Sequence, residues 1–171
     1  MSIPSAIIPG CKLNVGILFF IDETGVHNHI TVNEIFQEGL IVVFGGPAPF
    51  SRLDTEQAIQ YEKAGQELKS LGIDRIIGLY CQDAFVMKQF ANHVENSAGC
   101  SDVEYYADGD GIFLLSYNLG HDFTNYGLSM RSERWCAVVE NGVVVWSDHD
   151  DYSEIDKTHV DKVIEWIKTS S

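Results

Sequence analysis

The run Leu40-Ile41-Val42-Val43-Phe44 is apolar throughout and is stopped by Gly45-Gly46-Pro47. A strand with apolar side chains on both faces must be covered on both, the condition of an inner strand in an α/β sheet. A helical pattern follows, predicting a helix over Asp54 to Leu71. Ala58, Tyr61, Ala64, Leu68 and Leu71 recur at spacings of three and four, and Gly72 stands past the end. Asp54 followed by Gln57 has the spacing of a capping box, which makes Asp54 the expected N-cap. Ile73 to Tyr80 then reads as a second buried strand, and Ala84 to Val94 as a second amphipathic helix. Strand, helix and strand in that order call for a parallel pair joined by a crossover.

Antiparallel elements flank this unit. Leu13 to Ile21 and Val26 to Val32 read as a hairpin, and Thr31 to Phe36 as a short helical turn. Arg134 to Val139 and Val143 to Trp146 flank Asn141-Gly142, a strong hairpin signal. Val160, Val163, Ile164 and Ile167 form the core stripe of a last helix. The expected fold class is α/β, thioredoxin-like, with a central mixed sheet flanked by helices and an N-terminal β-hairpin. At 171 residues and 45% apolar, the chain suits a single domain over residues 1–171.

No apolar run approaches the roughly 18 residues of a membrane span. Met1 to Gly10 lacks the basic start and apolar run of a secretory signal, so a soluble, cytoplasmic protein with no membrane partner is expected. A net charge of -14 repels phosphate backbones and argues against nucleic acid as a partner. The cluster Asp148, Asp150 and Asp151 reads as solvated surface.

The four cysteines, Cys11, Cys81, Cys100 and Cys136, include no C-x-x-C pair and are too few for a disulfide scaffold. Each is expected as a reduced thiol, with Cys100 exposed in the polar stretch Asn96 to Asp102 and Cys136 in the core. His27 and His29 share a strand face and make half a metal site without a third ligand. His149-Asp150-Asp151 reads as a loop, either a loose cation binder or a solvated acidic turn. His93 and His121 have no visible partner, and Gly109 and Gly111 read as a turn. No cofactor and no metal are expected.

Three segments carry a family likeness. Gln82-Asp83-Ala84-Phe85-Val86-Met87 is similar to the N-D-A-F-V-M segment of peroxiredoxins of the peroxiredoxin-5 type. Ala107-Asp108-Gly109-Asp110-Gly111, and then Gly127 through Trp135, resemble that family's A-D-G-x-G and G-L-G-M-R-S-x-R-Y stretches. The third segment is Pro47-Ala48-Pro49-Phe50-Ser51-Arg52-Leu53-Asp54, which lies where the family carries P-x-x-x-T/S-x-x-C. The proline and the hydroxyl are present, Arg52 replaces a usual proline, and Asp54 stands where the peroxide-reducing cysteine is expected. No other register supplies one, because no cysteine lies between Cys11 and Cys81.

The resemblance implies that Arg134 is the active-site arginine and that Pro47 and Ser51 shape the peroxide pocket. Peroxide reduction needs a soft nucleophile at modest pKa, which a thiolate is and a carboxylate is not. Asp54 is therefore expected to pair with Arg134, filling the former site in a shape close to an over-oxidised cysteine, or to act simply as a helix cap. The implied function is a peroxiredoxin-like protein without thiol peroxidase activity, working as a binding or regulatory module. The alternative is a thiol-dependent peroxidase that uses a displaced cysteine, Cys81 first, because it ends a strand at the functional edge of the sheet. A homodimer through the Phe50 region and the Ala84 to Phe90 helix start, a small-molecule ligand and a thiol reductant are the partners the resemblance implies.

Overall fold

A computed structural model describes residues 7–170. The elements in chain order are β1 (Ile17–Ile21), β2 (His27–Thr31), α1 (Val32–Phe36), β3 (Leu40–Gly45), α2 (Arg52–Lys63), α3 (Gly65–Ser70), β4 (Arg75–Tyr80), α4 (Ala84–Ala98), β5 (Glu104–Ala107), α5 (Ile112–Ser116), β6 (Gly120–Asp122), β7 (Met130–Ser132), β8 (Arg134–Glu140), β9 (Val143–Asp150) and α6 (Val160–Ser170). Among the described residues, seven strands form one sheet in the order β2-β1-β5-β4-β3-β8-β9, and β6 pairs with β7 apart from it. β3, β4 and β5 run parallel, while β8 pairs antiparallel with β3 and with β9. This is the thioredoxin-like α/β fold with its N-terminal hairpin. No helix among the described residues is long and apolar enough to cross a membrane.

Alternation along the inner strands divides the core between two faces. Val42, Phe44, Ile76, Tyr80, Cys136 and Val138 face one side, under Ala58 and Tyr61 of α2, Met87 and Phe90 of α4, and Val163 of α6. Ile41, Val43, Ile77, Leu79, Trp135 and Ala137 face the other, under Ile35 of α1 and Phe113 of α5. Phe44 stacks on Tyr61 at a centroid distance of 4.1 Å, so β3 and α2 are joined directly beneath the turn that separates them.

Several boundaries differ from expectation, each for a local reason. The first strand starts at Ile17 rather than Leu13, because the Asn14 and Val15 N–H groups donate to Tyr117 Oη at 2.8 and 3.0 Å instead of to a ladder. The helix expected from Asp54 to Leu71 begins at Arg52 and divides at Ala64. Its N-cap is Ser51, not Asp54: Ser51 is extended (φ -64, ψ 155) and accepts from the Asp54 N–H. The division coincides with Gly65, where a β-carbon would collide with Asp102. α4 runs past Val94 to Ala98 and closes on Gly99 in the left-handed region. β5, α5, β6 and β7 were not expected. Gly109 and Gly111 do form a turn, and Gly111 (φ +70) leads into α5, whose first N–H groups are met by the buried Asp108 carboxylate.

His149-Asp150-Asp151 is not a loop, since His149 and Asp150 close β9, and Asp150 is not solvated. The Asp150 carboxylate accepts from the N–H groups of Asp156, Lys157 and Thr158 and from Thr158 Oγ1, at 2.7 to 3.0 Å. The Thr158 carbonyl in turn accepts from Tyr61 Oη at 2.8 Å, so the segment leading into α6 is pinned to α2. Burial acts to raise the Asp150 pKa, but these hydrogen bonds outweigh it and leave the carboxyl below its ordinary value.

A depressed folded pKa gives stability that is present above the ordinary aspartate value near 3.9 and lost as pH falls through the folded value. Asp150→Ala strands several buried donors and is expected to destabilise the protein by about 2–4 kcal/mol, read from the urea midpoint at neutral pH. The margin between wild type and Asp150→Asn should shrink at pH 3; an equal margin at both pH values would remove the role given to ionised Asp150.

Candidate active site

The site is assembled where β3 ends. After Gly45, residues Gly46, Pro47 and Ala48 carry the chain over the C-terminal edge of the parallel strands towards α2. Two bonds from β7 brace this turn: Ser132 Oγ donates to the Gly46 carbonyl at 3.0 Å and Arg131 Nη1 to the Pro47 carbonyl at 3.2 Å. With Ser51 as N-cap, Asp54 falls in the first turn of α2, where the positive end of the helix dipole favours a carboxylate. Arg134 opens β8 and shares the face of Cys136 and Val138, which is the face α2 covers.

The two side chains meet in the interior. Arg134 Nη1 donates to Asp54 Oδ1 at 3.1 Å and to Gln57 Oε1 at 2.8 Å, and both charged side chains are 1% exposed. Asp54 Oδ2 accepts from the Ala48 N–H at 3.1 Å and from Ser51 Oγ at 2.8 Å. Arg134 Nη2 reaches the Tyr152 carbonyl at 3.4 Å. Burial pushes the Asp54 carboxyl above the usual carboxylate range, and the Arg134 charge and the bonds from Ser51 and Ala48 hold that rise back. Arg134 Nε, Gln57 Nε2 and Tyr80 Oη are shielded and make no hydrogen bond. The Tyr80 hydroxyl is held well above its ordinary pKa by burial, with the Asp54 charge adding to the effect. Gly46 lies so close that a β-carbon on it would overlap Asp54 Oδ1 and stand 3.1 Å from Arg134 Nη1.

Above the pair is a cavity of about 390 Å³, bordered by Pro47, Ser51, Leu53, Asp54 and Arg134 below and by Phe123, Tyr126, Leu128 and Tyr152 at the rim. The rim is tied by a Tyr126–Tyr152 hydroxyl bond of 2.6 Å and by the edge-on contact of Phe123 with Tyr152. Pro47, Ser51, Asp54 and Arg134 thus all border one cavity. Cys81 packs against the cluster on the other face of the sheet and does not border this cavity.

The four thiols share one electrostatic character. Burial raises Cys81, the Asp108 charge raises it further, and Arg131 opposes both. Cys136, on the face of the site, is pushed up to about 12, chiefly by burial. Burial also raises Cys11 and Cys100. Cys100, expected to be exposed, is half-buried beside Glu62 and Asp102. Reactive thiols are lowered, not raised.

From the sequence, Gly46 reads only as part of a strand stop and Gln57 only as half of a capping box, and Arg131, Ser132 and Tyr152 have no role at the site. Arg131 and Ser132 sat inside a quoted motif, and Gln57 is three residues from Asp54 on one helix, so a shared partner was readable. Tyr152 carried no signal, since it reaches Arg134 with its backbone carbonyl.

The sequence matches the Redoxin family over residues 17–164. It is 33% identical over 115 residues to mitochondrial Peroxiredoxin-2F of Arabidopsis thaliana, a match covering 66% of this chain and 55% of that one. It is 31% identical over 126 residues to a Peroxiredoxin of Rhizobium etli, covering 72% and 68% of the two chains. Among solved structures, reduced Prx3 of Vibrio vulnificus in complex with H2O2 superposes with a TM-score of 0.84 at 25% identity, covering 93% of this chain and 98% of that one. The chain spans little more than half of the Arabidopsis relative, so what these proteins do as wholes is theirs. The fold, the Redoxin match and the curated relatives agree, and this chain belongs to the peroxiredoxin family.

Proposed function

We propose that this chain is a peroxiredoxin of the peroxiredoxin-5 type in which Asp54 holds the position of the peroxide-reducing cysteine, so that the pocket binds without turning over peroxide. The observation that carries the reading is the buried Asp54–Arg134 pair at 3.1 Å, closed by Ala48 and Ser51 on the second carboxylate oxygen. In the family's reaction a thiolate attacks one peroxide oxygen. The O–O bond breaks, the other oxygen leaves with the electron pair and takes a proton, and the sulfur is oxidised to a sulfenic acid that a reducing thiol restores. Asp54 offers no such sulfur. Its charge also consumes the guanidinium that would stabilise the leaving oxygen.

The family relation speaks more directly for thiol-dependent peroxide reduction than for its loss, since the relatives are named peroxiredoxins and one is solved with H2O2. In this chain that reading requires a cysteine elsewhere. Cys81 is the candidate because it is half-buried, follows the end of β4 and has Arg131 nearby, although burial and the Asp108 charge leave its thiol raised. A single domain, a cytoplasmic setting, a thiol reductant or small-molecule ligand, and a homodimer through exposed Phe50 and Phe85 belong to the same proposal.

Hydrogen peroxide consumption with excess dithiothreitol separates the readings. The parent should be silent and Asp54→Cys active; turnover by the parent that disappears in Cys81→Ser would establish the displaced-cysteine reading instead. Asp54→Ala leaves a buried guanidinium without its counter-charge and should cost about 3–5 kcal/mol in chemical denaturation. A loss below 1 kcal/mol would mean that the pair does not hold the pocket together.

A further inference from the structure

Of the seven tyrosines in the chain, Tyr61, Tyr80, Tyr106 and Tyr117 are buried, and Tyr105 is half-buried with its hydroxyl on Glu62 Oε1. The two that face solvent, Tyr126 at 60% and Tyr152 at 39% exposure, are also two that meet. Their hydroxyl oxygens stand 2.6 Å apart, and their ring centroids 5.4 Å apart at an interplanar angle of 61°, although 26 residues separate them in sequence. Phe123 packs edge-on against Tyr152 at 5.6 Å and lies 6.4 Å from Tyr126, which limits how either ring can turn. The Tyr152 hydroxyl is held above its ordinary pKa, first by its bond to Tyr126, so it stays a neutral phenol at physiological pH.

A phenol gives one electron to an oxidant and its proton to water, and the unpaired electron spreads to the two ring carbons beside the hydroxyl-bearing one. Two such radicals in contact couple through those carbons. The reaction therefore needs two phenols that an external oxidant reaches and that already touch. Exposure supplies the first condition here, and the hydroxyl bond with the neighbouring Phe123 supplies the second.

We propose that Tyr126 and Tyr152 are an oxidative cross-linking site that staples the mouth of the Asp54 cavity. The oxidant is a one-electron oxidant of phenols formed from peroxide, of the high-valent haem class. Two oxidising equivalents each take one electron, and the two phenolic protons go to water. A carbon–carbon bond then joins the positions ortho to the two hydroxyls. The hydrogens on those carbons move to the oxygens, so both rings return to phenols and the product lacks two hydrogens. Tyr126 lies between β6 and β7, and Tyr152 follows β9. The new bond thus fixes the β6–β7 hairpin to the segment leading into α6, across the rim of a cavity of about 390 Å³. Nothing in the coupling involves Asp54 or a thiol, so the site stands whether or not the pocket turns over peroxide.

The test treats dilute, full-length protein with hydrogen peroxide and a haem peroxidase, then reads it by denaturing gel, dityrosine fluorescence, intact mass and peptide mapping. The expected product is a fluorescent monomer lighter by two hydrogens, with one cross-linked peptide joining positions 126 and 152. Tyr126→Phe and Tyr152→Phe should each lose it. Both rings are exposed, and Tyr152 meets Arg134 through its backbone carbonyl, so both variants keep the fold. The stapled protein should unfold at higher urea, because the cross-link restricts the unfolded chain. Exchange of the Gly127 and Leu128 amides, which bond to the Thr124 and Phe123 carbonyls in the turn that carries Tyr126, should slow. Cross-links between chains only, intramolecular dityrosine that survives Tyr126→Phe, or no dityrosine where free tyrosine couples would each overturn the site. Rim amides that exchange as fast after coupling as before would overturn its role in closing the mouth.

Discussion

A guanidinium with no exposed surface is costly in a protein interior unless its charge is met there. Arg134 is in that position, and the elements around it are arranged accordingly. α2 presents Asp54 and Gln57 from its first two turns, β9 continues into the segment whose Tyr152 carbonyl reaches Nη2, and Ser132 and Arg131 hold the Gly46–Ala48 turn against the pair. The Asp150 knot belongs to the same assembly, because it fixes the far end of the segment that carries Tyr152 and fastens it to Tyr61 of α2. The pocket is therefore built from four separate stretches of chain that converge on one cation.

The sheet also sorts the sulfur chemistry. Strand alternation puts Cys136 on the face of Arg134 and leaves Cys81 on the opposite one. The thiol that shares the site's face is deeply buried next to Tyr61, and the more accessible Cys81 looks into the other half of the core, near Asp108. One has the position and the other the access, but burial raises both thiols, so neither carries the activation a nucleophile needs.

Periodicity made the inner strands and their covering helices legible, because an apolar run such as Leu40–Phe44 has few alternative placements. The hairpin at Asn141-Gly142 was equally plain, and the backbone is left-handed at both residues. Short pieces were not readable: β5, α5 and the β6–β7 hairpin carry too few residues for a period to emerge. In the sequence Asp54 reads as an N-cap because capping residues and first-turn acids have similar preferences, and only the extended backbone of Ser51 distinguishes them. At the site, Pro47, Ser51, Asp54 and Arg134 came from a motif. Tyr152 leaves no trace in the sequence, because a main-chain carbonyl has no residue type, and Asp150 sits in an acidic string that looks solvated until its donors are seen.

Gly46 has a consequence for how this pocket can change. One carboxylate oxygen of Asp54 occupies the volume in which any other residue at 46 would carry its first side-chain carbon. Positions 46 and 54 thus divide one fixed space between backbone and side chain, though they are eight residues apart. A larger group at 46 is compatible only with a smaller or differently turned one at 54, so substitutions at the two positions are epistatic. With a carboxylate at 54, any side chain at 46 forces the buried Asp54–Arg134 pair to shift, so the glycine and the carboxylate are kept together or changed together.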